Sequence, residues 1–266
     1  MKLNEIKCKN CGANLKVEKN IDNKMITCDY CNTTFNIEEN PKSKKLKIKE
    51  IIIFSIVLFL FLTFEIVFIF LGYDFNNLTL NDTIFMTLSK YLVLIIFFIV
   101  YYHKYLKEKL FDFKKNFKSY AKIGFKDWFT GFLIMYVSNI IIMRIIGNIG
   151  SNEETVQSLI SQIPFVAFLL TTIFAPFIEE MIFRKNLQDC FNNKTFFMIM
   201  SGFLFGFVHV MGAENYLEYL LIVPYGALGF MFAHTLNKTD NIYTTIMLHM
   251  FHNGVLTLLA ILGNTL

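Results

Sequence analysis

The chain has 266 residues, 55% of them hydrophobic and 31 of them Phe, with a mean hydropathy of +0.47 and a formal net charge of +4. So apolar a balance excludes an ordinary soluble domain of this size and points to an all-α polytopic membrane protein, whose helices are apolar nearly all round. A net charge of +4 also excludes a broad basic field of the kind that binds nucleic acid, and no nucleic-acid partner is expected.

The first fifty residues are polar and carry four of the five cysteines, so no signal peptide is expected. "CKNCG" and "CDYC" place Cys8 and Cys11, then Cys28 and Cys31, as two CxxC pairs sixteen residues apart. Thiolates are soft ligands, and two such hooks supply the four sulfurs of a tetrahedral structural zinc site. Gly12 allows the tight turn after the first pair, and Leu15, Val17, Ile26 and Phe35 are the candidates for a very small core, one too small to fold without metal. A disulfide pair is the competing reading, and a cytoplasmic location argues against it. The pattern resembles a zinc ribbon over residues 1–38, a module for binding a protein partner or capping a membrane domain. "NPKSKKLKIKE" follows as a basic linker, residues 39–49.

Seven apolar runs fill residues 50–266, each near the ~20 residues that cross a bilayer: 50–71, 84–103, 126–147, 163–186, 196–211, 217–235 and 242–262. The fifth is short, and Pro224 with two glycines allows a break in the sixth. Basic and non-basic connections alternate. Lys42 to Lys49, the stretch from Lys104 to Lys126, "RKNLQDCFNNK" and "NKTDN" are basic; "YDFNNLTLND", "GNIGSNEETVQS" and "GAENYLE" are not. This alternation predicts an N-terminus in the cytoplasm and a C-terminus outside, with Trp128 as an interfacial anchor.

Ionisable side chains in hydrocarbon are costly, so each needs a reason. Glu65, His103, Arg144 and His234 lie near run ends, where pairing or snorkelling accounts for them, and Cys190 reads as a free thiol near the inner interface. "APFIEEMIFR" is different. Neighbours on a helix point about 100° apart, so Glu179 and Glu180 cannot share one environment. Glu180 and Arg184 stand at i, i+4 with the acid first, the favoured order for an ion pair. Glu179 then faces the bundle interior, where a partly desolvated carboxylate suits a general base. In "SGFLFGFVH", Phe205 and His209 share a face, while Gly202 and Gly206 have small-xxx-small packing spacing. In "HMFHN", His249 and Asn253 share a face, and His252 is one turn from His249; helix-packing hydrogen bonds and metal ligation are the other readings of these groups. A carboxylate, two imidazoles and a carboxamide on three spans supply a base, a second proton-handling group and an oxyanion donor, which peptide hydrolysis needs.

"EEMIFR", "FGFVH" and "HMFHN" match, in order, the EExxxR, FxxxH and HxxxN motifs of the CPBP intramembrane protease family, which includes type II CAAX prenyl endopeptidases and bacteriocin-immunity-like proteins. The resemblance covers about residues 125–262 and leaves the zinc ribbon outside. It implies an intramembrane endopeptidase acting on a membrane-associated peptide or protein, prenylated or not, at a site opening toward the cytoplasm. By motif position it implies that Glu179 and His209 activate water, that His249 and Asn253 stabilise the oxyanion, and that Glu180, Arg184 and Phe205 support the site. Family members are described both as metalloproteases and as metal-free glutamate-dependent proteases; the three candidate ligands here and a mechanism that does not require zinc favour the second. A non-proteolytic immunity or scaffold protein, and a transporter with a proton relay, are the alternative functions. Helix rise sets a geometric condition: His209 comes out about 20 Å deep, His249 near half that, and Glu179 close to the inner side unless its helix runs on past Arg184.

Overall fold

In a computed structural model the described residues are 3–7, 10, 14–18, 25–36, 47–147 and 149–265. The chain separates into two compact units, residues 1–46 and 47–266.

The small unit contains two antiparallel hairpins. Strand β1 (Leu3–Lys7) pairs with β2 (Asn14–Glu18), and β3 (Met25–Thr27) pairs with β4 (Thr34–Asn36). Each CxxC pair therefore falls between the strands of one hairpin. Cys8, Cys11 and Gly12 lie outside the described residues. Around Cys28 and Cys31 the chain turns tightly: Cys28 N–H donates to Thr33 O at 3.0 Å, and Asn32 N–H donates to Cys28 O at 2.8 Å with Asn32 in the left-handed region at φ 53°. Asn10, from the first CxxC segment, donates to Thr33 Oγ1 at 2.9 Å and reaches Cys31 Sγ at 3.8 Å. Of the four core candidates Leu15 is buried, and the side chains of Val17, Ile26 and Phe35 lie outside the described set.

The large unit is helical throughout its described regular structure: α1 (Ile48–Thr63), α2 (Ile66–Phe70), α3 (Leu80–Tyr101), α4 (His103–Ile146), α5 (Ser151–Gln162), α6 (Pro164–Cys190), α7 (Lys194–His209), α8 (Tyr216–Thr239) and α9 (Ile242–Thr265). Five of these, α3, α4, α6, α8 and α9, are long and apolar enough to cross a membrane, which makes this an integral membrane protein. Against the seven expected runs, α7 has 16 residues, and the first run is interrupted at Phe64 and Glu65, where Glu65 pairs with Lys90 of α3. The sixth run is not broken internally. Pro224 sits in the first turn of its α-helical part, which follows a 3-10 turn at Tyr216–Leu221.

Two stretches read as loops are helical. The basic segment 104–126 continues into the third span, making α4 a single helix of 44 residues, about 66 Å long. It holds no Pro and few turn-formers, and its inner side is fixed: Leu106 is buried, Lys109 pairs with Asp240 at 2.7 Å, and Asp112 accepts from Asn116, Tyr120 and Asn241, each at 2.8 Å. The acidic segment after Gly150 forms α5. Gly150 (φ 87°) turns the chain, Glu153 and Glu154 occupy the positive first turn, and the buried Glu218 carboxylate accepts from Ser151 N–H at 2.9 Å and Ser151 O–H at 2.7 Å. Another element thus supplies the cap that α5 itself lacks.

Helices α7 and α8 approach almost backbone to backbone. A Cβ at Gly206 would lie 2.6 Å from Ile222 O, and one at Gly202 would lie 2.8 Å from Gly226 O. The small-xxx-small spacing is therefore a packing device, and it carries His209, one turn beyond Gly206, to α8. Gly206→Leu is expected to destabilise the bundle by about 1–3 kcal/mol or more through overpacking. A melt in detergent checks this, against Phe207→Leu on the exposed face, which should leave the midpoint unchanged.

Candidate active site

The motif helix α6 is not uniform. Its central α-helical turn, Ala175–Glu180, is flanked by wide π-turns at Leu170–Phe174 and Met181–Asn186. Pro176 has no N–H to give the carbonyl of Thr172, which accounts for the loosening on the N-terminal side. The helix runs on past Arg184 to Cys190, so Glu179 stands eleven residues, about 16 Å, from that end and about 22 Å from Pro164. This meets the geometric condition set by the sequence.

Glu180 and Arg184 are both fully buried and ion-paired, with Arg184 Nε 3.2 Å from Glu180 Oε2. The guanidinium lies 4.5 Å from the Phe205 ring centroid and 5.5 Å from that of Phe232, so two aromatic faces flank a charge whose nitrogens have no hydrogen-bond partner among the described residues. Glu180 Oε1 accepts from His249 Nδ1–H at 2.9 Å. That bond fixes the imidazole and turns Nε2 toward Glu179, whose Oε2 is 3.7 Å away. This separation is too long for a direct hydrogen bond. Phe205 and Phe232 also flank the His249 ring, at 5.6 and 5.3 Å between centroids.

His209 is held in the same manner. A carbonyl can only accept, so His209 Nδ1 donates to Phe205 O at 2.7 Å, which in the neutral ring leaves the lone pair on Nε2. Its ring is clamped between Phe205 (4.5 Å) and a stacked Tyr225 (4.6 Å). Asn253 donates one of its two carboxamide N–H groups to Thr171 O at 2.9 Å. Trp128 Nε1–H points at His252 Nδ1 across 3.4 Å.

Glu179, His209, His249 and Asn253, from α6, α7 and α9, all line one cavity of about 960 Å³, together with Phe205 and His252. Glu180 and Arg184 are not among its described lining residues. Sequence reasoning missed Thr171, Tyr225 and Phe232. Thr171 and Ala175 precede Glu179 at intervals of four, a spacing that carries the signal; Tyr225, beside Pro224, offers no such pattern. It also missed Asp127, buried next to Trp128, which pairs with His234 and Lys238 at 3.1 Å each and explains why His234 tolerates its position. His103 and Arg144 are exposed, as end residues should be. Cys190 is buried, with its thiol 3.5 Å from Asn186 O. Among the described residues no group of three or more His, Cys, Asp or Glu is arranged to hold a metal ion.

The fold and the site define a class: a polytopic helical membrane protein with an acid, two imidazoles and a carboxamide facing a cavity in mid-bundle. Comparison with known proteins agrees. Residues 161–255 match the family described as "Type II CAAX prenyl endopeptidase Rce1-like", a stretch that contains Glu179, Glu180, Arg184, Phe205, His209, His249 and Asn253. The chain is 29% identical over 119 residues to "Putative membrane peptidase YdiL" of Bacillus subtilis (strain 168), covering 44% of this chain and 46% of that protein. It is 32% identical over 109 residues to an "Uncharacterized protein" of Mycoplasma capricolum subsp. capricolum, covering 40% of this chain and 31% of that one. The chain thus spans less than half the length of these curated relatives. No solved structure matches it.

Proposed function

We propose that the chain is an intramembrane endopeptidase that hydrolyses a peptide bond of a membrane-associated substrate. The observation that carries this reading is the convergence of Glu179, His209, His249 and Asn253 on one cavity. Glu179 and the Nε2 lone pair of His209 polarise a water, Glu179 takes its proton, and the water oxygen attacks the scissile carbonyl carbon. The second N–H of Asn253 and Nε2–H of a protonated His249 face the oxyanion. Collapse of the tetrahedral intermediate breaks the C–N bond, and the proton held by Glu179 passes to the departing amine. Glu180, anchored by Arg184, positions His249.

In the same reading all seven apolar runs cross the membrane, with the N-terminus in the cytoplasm and the C-terminus outside. Cys8, Cys11, Cys28 and Cys31 hold one structural zinc in a ribbon that contacts a protein partner. The hairpin turn at Cys28–Cys31 and the reach of Asn10 to Cys31 Sγ suit a thiolate site, since thiolate sulfur accepts N–H donors.

His209→Phe removes the lone pair and keeps the ring in its aromatic clamp. Purified in nanodiscs with a single-span peptide library and read by mass spectrometry, it should cleave at least about 10²-fold more slowly than wild type; equal rates overturn the reading. Elemental analysis should find about one zinc per chain, lost in Cys28→Ser while cleavage persists, because the metal stabilises the ribbon and takes no part in the chemistry.

A further inference from the structure

The two ends of the bundle differ in charge. One end holds the start of α4 with its lysines, and also Lys185, Lys194 and Lys238. It is tied together by Lys47 to Phe191 O (3.4 Å), Lys185 to Asp189 (2.7 Å) and Asn237 to Lys194 O (3.4 Å). The other end holds the starts of α3, α5 and α8 and the end of α7, tied by Ser151 to Glu218 and by Asn152 to Tyr225 OH (3.2 Å).

The cavity belongs to the second end. α3 lines it from Leu80, at that end, to Tyr91, while α6 lines it from Leu170 to Glu179 and α8 from Tyr225 to Phe232, stretches that begin inside those helices and reach mid-bundle. Among the described residues, nothing from the lysine-rich end lines it. Its described lining includes Glu153, Glu154 and Glu214 toward the entrance and Glu179 below, and no Lys or Arg. Glu154 and Glu214 are exposed; Glu153 is half-buried and accepts from Gln157 at 3.3 Å.

We infer that the cavity is entered from the face of the membrane opposite the lysine-rich segments, and that it takes a substrate presenting a cationic segment at that face. This deepens the proteolytic reading and rests on it. Lysine-rich segments are retained in the cytoplasm, so the entrance faces outside, opposite to the cytoplasmic opening that the sequence resemblance implies. A cleft lined by one sign of charge with low-dielectric walls concentrates the opposite charge, by about tenfold or more. Three rim carboxylates above a site with no Lys or Arg among its described lining meet that condition.

The test separates binding from cleavage. Full-length Glu179→Gln protein in phosphatidylcholine nanodiscs is titrated with a dansyl-labelled leucine/alanine span headed by three lysines, and with its glutamine-headed twin. The lysine peptide should bind about tenfold tighter at low salt, with the advantage shrinking as salt screens the rim. Glu153→Gln/Glu154→Gln/Glu214→Gln should erase the preference. Ser158→Lys, on the same rim, should also lower it while every carboxylate stays in place. Equal binding of the two peptides, or a preference that survives both variants, overturns the inference. In intact cells a Ser158→Cys thiol should react with a membrane-impermeant maleimide; reaction only after permeabilisation overturns the entrance side. Cleavage without charge preference defeats this inference alone, whereas charge preference without cleavage defeats the proteolytic reading.

Discussion

Glu179→Gln is expected to lower peptide cleavage by about 10²–10⁴-fold, the contribution of a positioned general base, while leaving expression and the melting midpoint unchanged. The substitution keeps the shape of the side chain and removes only its ability to take a proton. Glu179 lines the cavity, and its carboxylate approaches His249 Nε2 at 3.7 Å, a distance at which little direct bonding is lost. The neighbouring Glu180→Gln should behave differently. Glu180 is fully buried between Arg184 and His249, so its loss leaves a guanidinium without its counter-charge, and stability and activity fall together. Two adjacent glutamates with different phenotypes, one a loss of activity alone and one a loss of activity and stability together, is a sharp expectation. Parallel losses in both would show that Glu179 belongs to the packing.

Arg184→Met should be the most destabilising single change in the membrane unit, costing about 3–5 kcal/mol, because breaking a buried pair strands its partner. Methionine fills much of the same volume between Phe205 and Phe232, so the loss reports charge and not a cavity. The double variant Glu180→Gln/Arg184→Met removes both charges and should recover a large part of that loss, a coupling that a thermal melt of all three variants measures directly. Recovered stability should come without recovered activity, because the Glu180→Gln side chain offers His249 Nδ1 a neutral amide acceptor in place of a carboxylate. If the double variant is no more stable than Arg184→Met, the pair is not coupled and the supporting role assigned to it is wrong.

What could be read from the sequence follows from short periodicities. The four-residue spacing of Glu180 and Arg184, and the one-residue offset of Glu179, fix their directions on any helix, so the ion pair and the inward acid were both legible. The same holds for Gly202 and Gly206, whose packing role depends only on their spacing. The convergence of α6, α7 and α9 was not legible. It depends on the π-turns in α6, which rotate the faces before and after Ala175–Glu180, and on long-range bonds such as Asn253 to Thr171 O. Charge misled the reading at both connections of α4. A lysine-rich segment and an acidic one each look like loops by composition, yet both are helices. What makes them so comes from elsewhere in the chain: Asn241 and Asp240 for the first half of α4, and Glu218 for the start of α5.

The most direct test of the central claim is cleavage in oxygen-18 water. Wild-type protein in nanodiscs, given the lysine-headed span, should produce one new C-terminal carboxyl carrying a single heavy oxygen, and Glu179→Gln should produce it at least about 10²-fold more slowly. Absence of any new terminus with wild type, or equal incorporation by both proteins, would contradict a water made nucleophilic by Glu179.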